Sequence, residues 1–199
     1  EAMADYIRAE IKHSTCENCS SISVVLDPVD PKDFEVKDLR HKNFIPVVMF
    51  HGTLTKNKGI DVFLEAAKMM PNVDFIIVGD GPDFKRLVSL APGNVFFQGW
   101  VPFKDIPYHI ASCAVGVALR SDNPGNEYVV TSPFLQYGVM GKPCLVTRRK
   151  VFGDYPWQFT GVEEIVEKLT ELLKKPCEEG RKLKEYILEA GEKKVAIGH

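Results

Sequence analysis

Few residues of this sequence combine a reactive type with a telling position. Lys58 closes the segment Gly52-Thr-Leu-Thr-Lys-Asn-Lys58-Gly59, which joins an apolar run to a stretch of helical period. That spacing sets Lys58 near a helix N-terminus, where partial positive charge already collects. A lysine there is mildly unfavourable alone and becomes favourable once an anion binds. Thr53, Thr55 and Lys56 add donors; a solvated polar loop is the plain alternative. A second turn, Gly79-Asp-Gly-Pro82, follows another apolar run, with Pro82 opening a helix. It lacks the G-x-G-x-x-G pattern, and no acidic residue follows at the expected distance, which argues against nicotinamide or flavin binding. Cys16-Glu-Asn-Cys19 has the spacing of metal ligands or a redox pair. With only His13 nearby the ligand set is incomplete, and the pair precedes a strand instead of opening a helix. Two reduced loop thiols are the simpler reading, and no metal site is expected. Cys113, Cys144 and Cys177 read as apolar filler or incidental surface residues, which fits a reducing, cytoplasmic setting.

The elements that must hold these residues alternate. Strands are expected at Pro46–Phe50, Asp74–Val78, Val95–Gln98, Ala114–Leu119 and Cys144–Val146, from short runs rich in Val, Ile and Phe. Helices are expected at Ile60–Met70, Phe84–Leu90, Asp105–Ser112, Ser132–Met140, Val162–Lys174 and Glu179–Leu188. Ahead of these, Ala4–Ile11 reads as a helix, Ile22–Leu26 as a strand and Asp27–Phe44 as a polar connection. Repeated βα alternation predicts an α/β domain: a doubly wound, Rossmann-like parallel sheet of five or six strands with helices on both faces. Residues 1–45 then form a crossover helix, short strand and linker, and residues 46–199 the domain proper. Ligands of such sheets bind beyond the carboxyl ends of the strands. Gly52, Gly79 and Gly99 each follow or end a strand, and the reading requires them to open on one edge.

Composition limits the classes. The chain has 199 residues, with 25 Lys plus Arg against 27 Asp plus Glu, a net charge of −2. That balance argues against nucleic-acid binding through a strong positive field. No apolar stretch reaches the length of a membrane span.

Several segments together resemble the C-terminal, donor-binding domain of GT-B-fold glycosyltransferases, the retaining family 4 group in particular. "ISVVLDPVDPKDF" (Ile22–Phe34) is similar to "V-I-P-N-G-V-D-x-x-x-F", and "MFHGTLTKNKGIDVFLEAA" (Met49–Ala67) to "G-R-L-x-x-x-K-G-x-x-x-L-x-x-A". "FIIVGDGP" (Phe75–Pro82), "NVFFQGWVPFKDIPYHIASCAVGV" (Asn94–Val117) and "GVMGKPCLVT" (Gly138–Thr147) follow in the family's order and spacing. The resemblance implies one half of a GT-B fold, transfer of a hexosyl group from a nucleoside-diphosphate-sugar to an unidentified acceptor, and no metal or other cofactor. It implies that Lys58 and Glu127 are catalytic. It implies donor contacts from Gly52, Thr53, Lys58, Gly79, Trp100, Val101, Glu127, Tyr128, Val129, Val130 and Gln136, with Trp100–Pro102 against the base.

Two positions depart from the family pattern. Thr53 stands where the family places arginine, which removes a bidentate phosphate partner. Gln136 stands where it places the second of two glutamates, and the first would fall at Tyr128, one step from Glu127. The sequence starts about where the family crosses into its second domain. A preceding acceptor domain is therefore the expected partner, the sole route to any membrane contact, and its absence makes the isolated chain an inefficient transferase. A degenerate GT-B-like domain serving as a binding module stays open as the alternative, as does a GT-B enzyme of other chemistry such as a sugar-nucleotide epimerase.

Overall fold

The computed structural model describes residues 30–34, 45–120 and 130–195. In chain order the elements are β1 (Val47–His51), α1 (Asp61–Met69), β2 (Asp74–Val78), α2 (Phe84–Leu90), β3 (Val95–Gly99), α3 (Ile106–Ser112), β4 (Val115–Ala118), α4 (Ser132–Val139), β5 (Cys144–Thr147), β6 (Gln158–Phe159), α5 (Val162–Leu172) and α6 (Pro176–Val195). The strands form one sheet in the order β3-β2-β1-β4-β5-β6, with every pairing parallel. The helix expected at Ala4–Ile11, the strand at Ile22–Leu26 and the Cys16–Cys19 pair lie outside the described residues.

Alternation along each strand sorts side chains to two faces. Val48, Phe50, Phe75, Ile77, Val115, Val117 and Leu145 face one apolar layer, closed by Phe63 and Leu64 of α1, Leu87 of α2, and Ile165, Leu169 and Leu172 of α5. Met49, Val78, Cys144 and Val146 face the other, closed by Ile110 of α3, Phe134, Leu135 and Tyr137 of α4, and Leu183 of α6. Strands covered on both faces must be apolar nearly throughout, which is why they read as continuous runs. Cys113 and Cys144 are buried in this core and Cys177 is exposed. Lys142 is also buried, its ammonium donating to the carbonyls of Ala111 (2.7 Å) and Cys113 (2.9 Å) at the end of α3. A cation suits the negative end of a helix.

Three features differ from the sequence reading. β6 was not expected; at two residues it has no period of its own. It exists because Val146 donates to the Trp157 carbonyl (3.0 Å) and Arg148 to that of Phe159 (2.7 Å). The last helix begins at Pro176, three residues before the expected start, and runs to Val195. Proline lacks a donor that the first turn would leave unused anyway. Within the supposed connection, Pro31–Phe34 forms a turn of 3-10 helix and buries Phe34, whose ring stands edge-on to Phe103 at 6.0 Å. That turn belongs to the core, not to a linker.

Candidate functional site

In a sheet of this order the chain departs in opposite directions from β1 and from β4, and their carboxyl ends splay apart into a crevice. Its floor is built by backbone. Gly52 donates to the Val78 carbonyl (2.9 Å), Gly79 to that of Gly99 (2.7 Å), and Leu54 to that of Asp80 (2.9 Å). The glycines after β1 and β2 and at the end of β3 thus share one edge, as expected. Gly79 has φ +137°, and a Cβ there would stand 2.0 Å from the Gly52 carbonyl oxygen. The Asp80–Pro82 turn is held from outside by Arg86, whose guanidinium pairs with Asp83 (2.6 Å) and with both carboxylate oxygens of Asp61 (2.6 and 2.9 Å). Those contacts hold both carboxyl groups below their usual range, with Arg86 hydrogen bonding the main cause.

Lys58 lies in a one-turn 3-10 helix, Lys56–Lys58, that leads through Gly59 into α1. It is partly buried. Burial lowers its pKa, and the positive charge of Arg120 lowers it further. Arg120 was not singled out from the sequence. It lies two residues past β4, and a buried apolar run leading into arginine at the carboxyl edge was the available signal.

His51, the last residue of β1, is the second feature the sequence reading passed over. It is buried, with Nδ1 2.8 Å from the Tyr137 hydroxyl and Nε2 2.6 Å from Gln136 Oε1. Burial drives its pKa down to about 4; the Gln136 contact opposes this and His109 adds to it. The ring is therefore neutral and carries one N–H. Tyr137 donates its hydroxyl to the Met49 carbonyl (2.9 Å), so His51 Nδ1–H donates to Tyr137 and Nε2 is left to accept. A half-turn of the Gln136 carboxamide presents it with an N–H. Either way, one end of Gln136 is committed to His51, and only the other end is left for a ligand.

The remaining expected contacts fall as follows. Thr53 is exposed beside Gly52 at the crevice. Trp100 is 73% exposed just after β3, on the same edge but two strands from β1 and three from β4. Val101 and Val130 pack against the second apolar layer, so their side chains serve the core and only their backbone is left for a ligand. Glu127, Tyr128 and Val129 lie outside the described residues. Arg148 pairs with Glu164 (2.6 Å), and Arg149 is buried, donating to the Arg148 and Arg120 carbonyls (2.6 and 2.9 Å). Among the described residues no group of three or more His, Cys, Asp or Glu side chains could hold a metal ion, and no helix is long and apolar enough to cross a membrane.

The sheet order and the glycine-lined edge define an α/β domain of Rossmann-like architecture. Residues 45–175 match the model of the family described as glycosyl transferases group 1, and the chain belongs to that family. Among solved structures it is similar to the C-terminal domain of the glycosyl transferase group 1 family protein LpcC from Francisella tularensis, at 19% identity and TM-score 0.58, covering 86% of this chain and 98% of that one. It is also similar to Anabaena Alr3699/HepE in complex with UDP-glucose, at 17% identity and TM-score 0.63, over 78% of this chain and 48% of that one. S. aureus TarM, in a complex that includes UDP, matches at 16% identity and TM-score 0.59, over 77% and 35%. At these identities the likeness is one of fold, that of GT-B glycosyltransferase domains. The chain thus spans a third to a half of the longer enzymes it matches. No curated protein sequence matches it.

Proposed function

We propose that the chain is the nucleotide-sugar-binding half of a retaining glycosyltransferase, moving a hexosyl group from a nucleoside-diphosphate-sugar to an acceptor. The observation that carries this is Lys58, partly buried in the loop after β1, with Arg120 after β4 at the same edge of the sheet and no carboxylate partner for either among the described residues. A fold that holds two like charges together without an anion is arranged for one to arrive. HepE, which shares this fold, is seen in complex with UDP and with UDP-glucose, which supports a nucleotide-sugar as the ligand. Lys58 would neutralise charge on the leaving diphosphate, where a preorganised cation lowers the barrier most. The base would lie along the glycine edge toward Trp100; adjacent strands are about 4.8 Å apart, so two strand spacings suit a nucleoside. Glu127 is assigned the second catalytic role by resemblance. Acceptor binding would come from a further domain, and the chain alone would transfer sugar poorly, because positioning both reactants supplies much of the rate.

Lys58→Ala is expected to weaken nucleoside diphosphate binding about ten- to a hundredfold, since a charged hydrogen bond is worth about 1.5–3 kcal/mol. The bare nucleoside should lose far less, and the fold should be unaffected. Calorimetric titration of both ligands checks this; equal losses would mean general damage to the pocket. A second reading, a degenerate module that no longer transfers sugar, draws on Gln136, which is uncharged and tied to His51. It predicts that nucleotide-sugars fail to bind even in the chain with every residue intact.

A further inference from the structure

Three arginines meet at the carboxyl edge of β4 and β5, and their side chains are used differently. Arg148 pairs with Glu164. Arg149 spends its guanidinium on two main-chain carbonyls, one of them that of Arg120. Arg120 is fixed through its backbone alone: its N–H donates to Thr147 Oγ1 at 3.1 Å, and its carbonyl accepts from Arg149 Nη2 at 2.9 Å. Among the described residues its guanidinium meets no carboxylate, and its Nε is buried without a hydrogen-bond partner. Thr131, at the N-cap of α4, is 7% exposed and leaves its Oγ1 equally unpartnered. Buried polar atoms without partners are uncommon in folded proteins and costly to keep. Here two follow the same strand and flank the same crossover.

The register gives the position. β1 and β4 pair as Val48 with Val115, Met49 with Gly116 and Phe50 with Val117. Both strands end one residue beyond the last of these pairs, at His51 and Ala118, and Thr53 and Arg120 each lie two residues past their strand. Thr53 and Arg120 thus follow adjacent strands at the same edge of the sheet. Lys58 lies close enough to Arg120 to feel its charge. Two cations of different geometry at one crevice suit an anion with two adjacent charged groups. Lysine offers a point charge and arginine a planar fork.

We propose that Arg120 is a diphosphate-binding residue that forms a clamp with Lys58, supplying from the end of β4 the guanidinium absent at Thr53. The clamp rests on the donor-domain reading for its natural ligand, a nucleoside diphosphate group, and not for the anion site itself. Arg149 is its positioning residue, through the bond to the Arg120 carbonyl.

The test uses the whole chain with inorganic pyrophosphate, UDP, GDP, ADP and the matching nucleosides, titrated by calorimetry at low and moderate salt. Arg120→Met is expected to weaken pyrophosphate and the bound nucleoside diphosphate by about ten- to a hundredfold, with the nucleoside unchanged and a shallower salt dependence. Its Tm should be little changed, because the half-buried guanidinium makes no ion pair among the described residues and its Nε no hydrogen bond. Adding Thr53→Arg to Arg120→Met should recover most of the loss. If wild type and Arg120→Met bind a nucleoside diphosphate equally well, the clamp is overturned and the donor reading stands. If pyrophosphate binds through Arg120 while no nucleoside diphosphate does, the clamp stands and the donor reading fails. Binding of neither overturns both. A marked fall in Tm, with the nucleoside lost in step, would make Arg120 structural and overturn the clamp as well.

Discussion

Gly79→Ala should cost this domain roughly 3–5 kcal/mol, the sum of a left-handed backbone forced on an L side chain and a backbone collision. The collision is with the Gly52 carbonyl, 2.0 Å from the new Cβ, and that backbone is tied to β2 through the Gly52 N–H to the Val78 carbonyl (2.9 Å). Two other glycines grade the effect. Gly99 has φ +71° but open space around it, so Gly99→Ala should cost about 1 kcal/mol from the backbone alone. Gly93 has ordinary φ and nothing within 4 Å, so Gly93→Ala should fall within about 0.5 kcal/mol of wild type. Urea unfolding of the three variants checks the order. A Gly79→Ala protein within 1 kcal/mol of wild type would mean that the loops after β1 and β2 are not joined as described, and the crevice floor would go with them.

The second large effect is a loss of stability in mild acid. His51 has a folded pKa of about 4 against an ordinary value of 6.5, because burial penalises the charged ring. The unfolded chain therefore takes up a proton that the folded one refuses. This contribution is fully present above pH 6.5, declines as the pH falls through 6.5, and is lost by about pH 4. It amounts to about 3 kcal/mol. The carboxylates held down by Arg86 and Lys182 lose their contributions at lower pH still, so they must be separated from it. His51→Leu does so: its stability should be flatter than wild type between pH 6.5 and 4 by about that amount. It should also release the end of Gln136 that His51 holds, while Tyr137 keeps its bond to the Met49 carbonyl. Parallel curves for the two proteins would show that His51 does not titrate in that window, and that its buried contacts are misassigned.

These two predictions rest on parts of the molecule that differ in how visible they are in the sequence. The glycine edge was legible because β1, β2 and β3 are short, largely apolar runs that each lead into glycine, and a parallel sheet buried on both faces leaves no other way to write a strand. The βα order then fixed which edge those glycines share. His51 and Arg120 were not legible. Each is the polar residue at the end of an apolar run, and nothing local distinguishes a buried, partnered side chain from a solvated one. What makes them notable is Tyr137 and Gln136, 86 and 85 residues away from His51, and Lys58, which lies in a different loop yet feels the charge of Arg120. β6 was hidden for a related reason, since two residues become a strand only through β5. Phe34 was read as part of a polar stretch because its partner Phe103 lies far along the chain. Gln136 shows the limit of motif matching: the position agrees with the family's second glutamate, yet only the fold reveals that His51 already occupies one end of its carboxamide.

The central claim is that the crevice between β1 and β4 holds the diphosphate of a nucleotide-sugar. The direct measurement is a thermal-shift screen of the chain against nucleoside diphosphates, their sugars and the corresponding nucleosides, since a ligand that binds only the folded state raises Tm with concentration. At least one nucleoside diphosphate and its sugar should raise Tm in a concentration-dependent way, the matching nucleoside should do so much less, and Lys58→Ala should remove the difference. A chain whose Tm is unmoved by every diphosphate, or moved equally by diphosphate and nucleoside, would contradict the claim.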